Sequence, residues 1–180
     1  MTRYLPVSVL LFALAGAACS APSNDPAGTA GNATAPPATA SAPAPAAAAV
    51  THDGRAVTVT GNDTMKFSLT EITAKPGEKL SVTFVNEGTT PKFSMGHNWV
   101  LLADGTDVPA FLVAAAEAVT TDYVPGGEPA ARILASSKLL GPNERDTVTF
   151  TAPTTPGRYE YICSFPGHYQ VGMRGVLIVQ

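Results

Sequence analysis

Tyr161-Ile162-Cys163-Ser164-Phe165-Pro166-Gly167-His168-Tyr169-Gln170-Val171-Gly172-Met173-Arg174-Gly175 sets a thiol, an imidazole and a thioether within eleven residues near the end of a 180-residue chain. Zinc accepts the first two donors but has little use for methionine. Copper is the common metal that uses all three at once. Upstream of Cys163, side chains alternate. Tyr159, Tyr161 and Cys163 share one face and Glu160 and Ile162 the other, the period-two pattern of a pleated strand. Downstream, Gly175 to Gln180 reads as a second strand. Pro166, Gly167 and Gly172 forbid a regular helix between the two and permit a tight turn. Cys163 therefore closes one strand, Met173 opens the next, and His168 sits on the turn between them.

A second imidazole comes from Met95-Gly96-His97-Asn98-Trp99-Val100, which opens a short apolar run of the kind a neighbouring strand would carry. Taken singly, Cys163 reads as a small buried hydrophobe, Met173 as core packing and His97 as a hydrogen-bonded interior residue. Taken together, two imidazoles, one thiolate and a weak axial thioether make a blue-copper electron-transfer site.

The segments M-G-H-N-W-V-L and C-S-F-P-G-H-Y-Q-V-G-M-R-G resemble the cupredoxins of the azurin, auracyanin and plastocyanin group, and the similarity extends from about Ala56 to Gln180. The resemblance implies one type 1 copper ion held by His97, Cys163, His168 and Met173, with the Gly96 carbonyl as a distant fifth contact. It also implies that Asn98 ties the two ligand loops together by hydrogen bonds. Azurins place three residues between the loop histidine and the methionine, whereas this chain places four, a spacing closer to that of auracyanins. The disulfide that azurins carry is missing here.

Outward from this core, the chain reads as many short strands separated by Gly/Pro turns, which implies an all-β Greek-key sandwich or barrel. Ala56 to Thr60 alternates, and Met65, Phe67 and Leu69 are expected to share a face. Leu80, Val82 and Phe84 alternate after the turn Lys75-Pro76-Gly77-Glu78. Trp99 to Leu102, Arg132 to Leu134 and Asp146 to Thr151 complete the set. One segment breaks the pattern. Phe111 to Val119 is Ala-rich with Pro109 near its start, which predicts a short helical insertion. Thr121 to Pro129 and Ser136 to Glu144 read as loops.

The cupredoxin-like domain is expected over 52–180. Residues 1–18, with Arg3 followed by the apolar run Leu5 to Ala15, read as an export signal too short to span a membrane. Leu14 to Cys19 resembles a bacterial lipoprotein signal in which Cys19 becomes acylated, although Gly16 stands where a large aliphatic residue is usual. Ordinary cleavage after Ala17 or Ala18 is the alternative. Residues 19–51 are dominated by Ala, Pro, Thr and Ser with Asp25 the only charge, so they cannot bury a core and read as a tether. Such a tether spans about 30 Å as a flexible coil and about 100 Å as polyproline II.

From His52 onward there are thirteen acidic and ten basic residues, every one of the chain's 14 and 11 except Asp25 and Arg3. They are interspersed, with no basic stripe for nucleic acid. The expected partners are redox proteins docking near His168 and a membrane reached through Cys19, and the expected assembly is a monomer. Cys163 is the only thiol left if Cys19 is removed or acylated, and a metal bond would protect it in an oxidising compartment. Copper reductases and oxidases need a second centre with more histidines, and His52 is the only one to spare among the three in the chain. Copper carriers or stores tend to use exposed Met/His arrays, whereas Met1, Met65 and Met95 are scattered. The reading is therefore a one-electron carrier and not an enzyme, with a copper carrier or store as the alternative.

Overall fold

The computed structural model describes residues 53–180. The export signal, Cys19, the tether and His52 lie outside the described residues. Eight strands follow one another: β1 (Arg55–Gly61), β2 (Glu71–Ala74), β3 (Lys79–Asn86), β4 (Val100–Leu102), β5 (Ile133–Ser136), β6 (Arg145–Thr151), β7 (Gly157–Ile162) and β8 (Arg174–Val179). They form a three-stranded sheet in the order β1-β3-β6 and a five-stranded sheet in the order β2-β8-β7-β4-β5. The pairs β1-β3 and β2-β8 are parallel, and the rest are antiparallel.

The alternation read from the sequence decides what fills the sandwich. Val59, Leu80, Val82 and Phe84 from one sheet meet Leu101, Tyr161 and Leu177 from the other, with Trp99 just ahead of β4, in a single buried cluster. Each large apolar side chain buried this way contributes about 1.5–3 kcal/mol relative to exposure. Tyr159, Tyr161 and Cys163 all face this core, while Ile162 faces the opposite side of the sheet. There Val100, Leu102 and Ile162 pack against Val108, Phe111 and Ala115 of the helix α2 (Val108–Glu117), which is numbered after a single turn, α1 (Lys92–Met95), before the first histidine. Covering by α2 explains why all three residues of β4 are buried instead of alternating. Asp107 caps α2 by accepting from Ala110 N at 3.1 Å.

The helical insertion thus begins three residues earlier than the sequence suggests, and 3-10 turns follow it at Val119–Thr121 and Glu128–Arg132. The expected shared face of Met65, Phe67 and Leu69 does not form. Met65 takes a φ of 55°, which breaks the pleat, so Phe67 is buried while Leu69 is exposed. The strand begins instead at Glu71 and lies parallel to β8. Among the described residues no helix is long and apolar enough to cross a membrane.

Candidate metal centre

His97 lies in the stretch between α1 and β4, where its backbone makes a two-way bridge with Leu140. His97 N donates to Leu140 O at 3.1 Å and Leu140 N donates to His97 O at 2.7 Å. The Leu140 carbonyl also accepts from the buried Asn86 Nδ2 at 3.0 Å, which anchors the bridge to β3. Cys163 directly follows β7, and its N–H donates to Met173 O at 3.0 Å, continuing the β7-β8 ladder. The turn between them is closed by His168 N to Phe165 O at 3.2 Å and Met173 N to His168 O at 3.0 Å. Gly167 and Gly172 take φ of 86° and 98°, a region that side-chain-bearing residues avoid.

These elements bring the ligand atoms of His97, Cys163 and His168 within 4.8 Å of one another. His97 Nδ1 is 3.1 Å from His168 Nδ1, which is 3.4 Å from Cys163 Sγ. His97 and Cys163 are fully buried, and His168 is 3% exposed. Burial pushes the Cys163 thiol up to about 12, although N–H groups of Asn98 and Phe165 donate to the sulfur and pull the other way. Burial, with His97 beside it, lowers His168 to about 4. Burial also lowers His97, against the opposing pull of the Asp63 carboxylate and the Asn62 carbonyl. At neutral pH the cluster therefore holds a thiol and two uncharged imidazoles.

Two nitrogens each about 2.1 Å from a shared first-row ion lie no more than about 4.2 Å apart, and the 3.1 Å between the two Nδ1 atoms meets that limit. Three lone-pair donors converge in a dry pocket, and the mix of thiolate and imidazole suits a soft-to-borderline cation such as copper. Met173 is fully buried in the same cluster as Cys163. Its methyl ends against Gly61, where a Cβ would lie 2.7 Å from it and 3.2 Å from the Phe84 ring.

Asn98 joins the two ligand segments. Its Oδ1 accepts from Ser164 N at 2.8 Å and its Nδ2 donates to Ser164 Oγ at 2.8 Å. Asn98 is legible in the sequence as this link, whereas Ser164 and Gly61 are not. Ser164 was legible only as the neighbour of Cys163, and Gly61 read as no more than the start of a turn.

The metal-free domain is expected to lose stability on mild acidification. The fold holds His97 and His168 neutral, so their contribution is present above the ordinary pKa of 6.5 and is lost as pH falls from there toward about 4. For His168 alone that window amounts to about 3 kcal/mol. Denaturant titrations of metal-free protein at pH 7 and pH 4.5 check this, and equal midpoints would contradict it.

The family described as copper binding proteins, plastocyanin/azurin family, matches residues 54–180. An azurin of Pseudomonas chlororaphis is 35% identical over 127 residues, covering 69% of this chain and 97% of that one. The outer membrane protein H.8 of Neisseria gonorrhoeae is 39% identical over 115 residues, covering 63% of this chain and 61% of that protein. Among solved structures, auracyanin A of Chloroflexus aurantiacus, described as a "blue" copper protein, superposes with a TM-score of 0.61 at 32% identity, covering 69% of this chain and 98% of that one.

Proposed function

The chain belongs to the plastocyanin/azurin family of copper-binding proteins, takes one copper ion, and on that premise we propose that it shuttles single electrons between redox partners outside the cytoplasm. The observation that carries this reading is the buried convergence of His97, Cys163 and His168. We assign these three as the residues that would hold the ion, with Met173 as a weak fourth. Bound there, copper supplies a one-electron couple whose potential depends on the axial ligand and on hydrogen bonding at the thiolate.

The chain's own contribution is to keep the donors fixed and dry. The Leu140 bridge and the Asn98–Ser164 link hold the two ligand segments in one arrangement, so little rearrangement accompanies a change of charge. The amides of Asn98 and Phe165 aimed at Cys163 Sγ stabilise negative charge on sulfur. A metal carrier would expose its ligands for exchange, whereas here His97, Cys163 and Met173 have no exposed surface.

His168 is the one member of the set that reaches solvent, and it does so beside the exposed Pro166 and Gly167. Val171 is exposed on the same turn, and the residues from Cys163 to Met173 carry no charge apart from the titratable His168. Arg174, just past the turn, lies over the Tyr169 ring at 4.9 Å and places one cation at the edge of this patch. We assign this patch as the electron portal, since redox encounters use small transient interfaces. Pro166→Lys and Met95→Glu are each expected to slow electron self-exchange about tenfold and make it salt-sensitive without changing the visible spectrum. Unchanged rates in both variants would place the portal elsewhere.

A lipid anchor on Cys19 and an exported, membrane-tethered location complete the proposal. The sequence of the signal supports it, as does similarity to a Neisseria protein described as an outer membrane protein. Mass spectrometry of the mature N-terminus is expected to show acylated Cys19, and Cys19→Ala to release the protein from membranes. An unmodified N-terminus at Ala18 or later would argue for a free protein.

A further inference from the structure

Between the 3-10 turn at Val119–Thr121 and the next loop, Asp122 and Tyr123 both take left-handed backbone angles, with φ of 59° and 61°. Asp tolerates that region, but a bulky residue such as Tyr rarely enters it. Local bonds hold the pair there. Tyr123 N donates to Ala118 O at 2.9 Å, Val124 N to Thr121 O at 3.0 Å, and Thr121 Oγ1 to Val124 O at 2.8 Å. The result is that two consecutive carbonyls turn toward the metal centre. Asn98 Nδ2 donates its second hydrogen to Asp122 O at 3.1 Å, and Ser164 Oγ donates to Tyr123 O at 2.7 Å.

These two contacts complete the hydrogen bonding of the Asn98–Ser164 link. Every Asn98 side-chain hydrogen is used, and the Ser164 hydroxyl accepts from Asn98 while donating to Tyr123. The Tyr123 ring also meets Phe165 edge-on with centroids 4.8 Å apart, and Phe165 in turn lies against His168 with centroids 4.6 Å apart. One dipeptide therefore reaches the neighbours of three ligands: Asn98 beside His97, Ser164 beside Cys163, and Phe165 against His168.

We propose that Asp122 and Tyr123 are positioning residues for the metal centre: their left-handed carbonyls lock Asn98 and Ser164 and so hold the His97 and Cys163 segments in one arrangement. This makes the turn that follows α2 a third support of the site, beside the cover that α2 gives β4. It rests on the copper reading above for its effect on potential, but not for its effect on the metal-free protein.

The test compares Tyr123→Val with Tyr123→Asn. Both lose the ring, but valine is excluded from positive φ whereas asparagine is at ease there. In the metal-free protein, amide exchange at Ser164 and at the Asn98 side chain is expected to quicken at least tenfold in Tyr123→Val and to stay near wild type in Tyr123→Asn. In the copper-loaded protein the potential is expected to fall in Tyr123→Val, because weaker hydrogen bonds leave more charge on sulfur, and to be largely restored in Tyr123→Asn. Ser164→Ala, which removes the Tyr123 contact from the other side, is expected to lower the potential too and serves if Tyr123→Val does not fold. Equal exchange and potential in the valine and asparagine variants, or an unshifted potential in Ser164→Ala, would overturn the proposal. If wild type fails to form a copper–thiolate chromophore, the copper reading fails, and the metal-free exchange comparison still decides the positioning role.

Discussion

Cys163→Ser is expected to abolish the intense visible absorption of the copper(II) protein and to weaken copper binding by more than about a hundredfold, beyond what loss of an outer hydrogen-bonding partner costs. The band requires a thiolate, and Cys163 is the only described thiol, fully buried and 3.4 Å from His168 Nδ1. A serine hydroxyl is a poor ligand for this metal and gives no sulfur-to-copper transition. The fold should survive. The amides of Asn98 and Phe165 that reach the sulfur can donate to a hydroxyl instead, so burial of the new oxygen costs about 1–3 kcal/mol. Absorption and circular dichroism on the same samples check both halves. A retained band would show that another residue supplies the chromophore.

Met173→Leu is expected to do something different: keep copper, with affinity changed by less than about tenfold, and raise the reduction potential. An axial thioether is the weakest bond of such a set and donates to the oxidised ion, so its removal favours the reduced form. Met173→Gln, which offers a harder oxygen, is expected to lower the potential. The place of Gly61 supplies a control. Gly61→Ala leaves Met173 in the sequence but sets a Cβ 2.7 Å from its methyl, so the thioether must move. Overpacking of this kind costs about 1–3 kcal/mol, and the potential is expected to move in the direction of Met173→Leu. Complete loss of copper in Met173→Leu would mean that the four-residue spacing between His168 and Met173 gives the thioether a larger part in holding the metal.

Much of this site was legible because its signals are local. Alternation placed Tyr159, Tyr161 and Cys163 toward the core, and the Pro166-Gly167 turn placed His168 between two strands, as the structure has them. The residues that hold the ligands in place were harder to read. β2 is only four residues long and is recruited by parallel pairing with β8 at the far end of the chain, which no local pattern announces. Met65 carries a strand-like spacing yet adopts a left-handed φ, because the chain must turn between β1 and the Phe67 bridge to Gly61. Ser164, Asp122 and Tyr123 are ordinary in composition, and their role comes from backbone carbonyls brought together by long-range packing.

A copper(II) titration of the full chain followed by visible absorption tests the one-electron copper centre most directly. An intense thiolate-to-copper band is expected to grow linearly and saturate at one copper per chain, bleaching fully on addition of one electron. A colourless protein, or saturation at two copper ions, would contradict it.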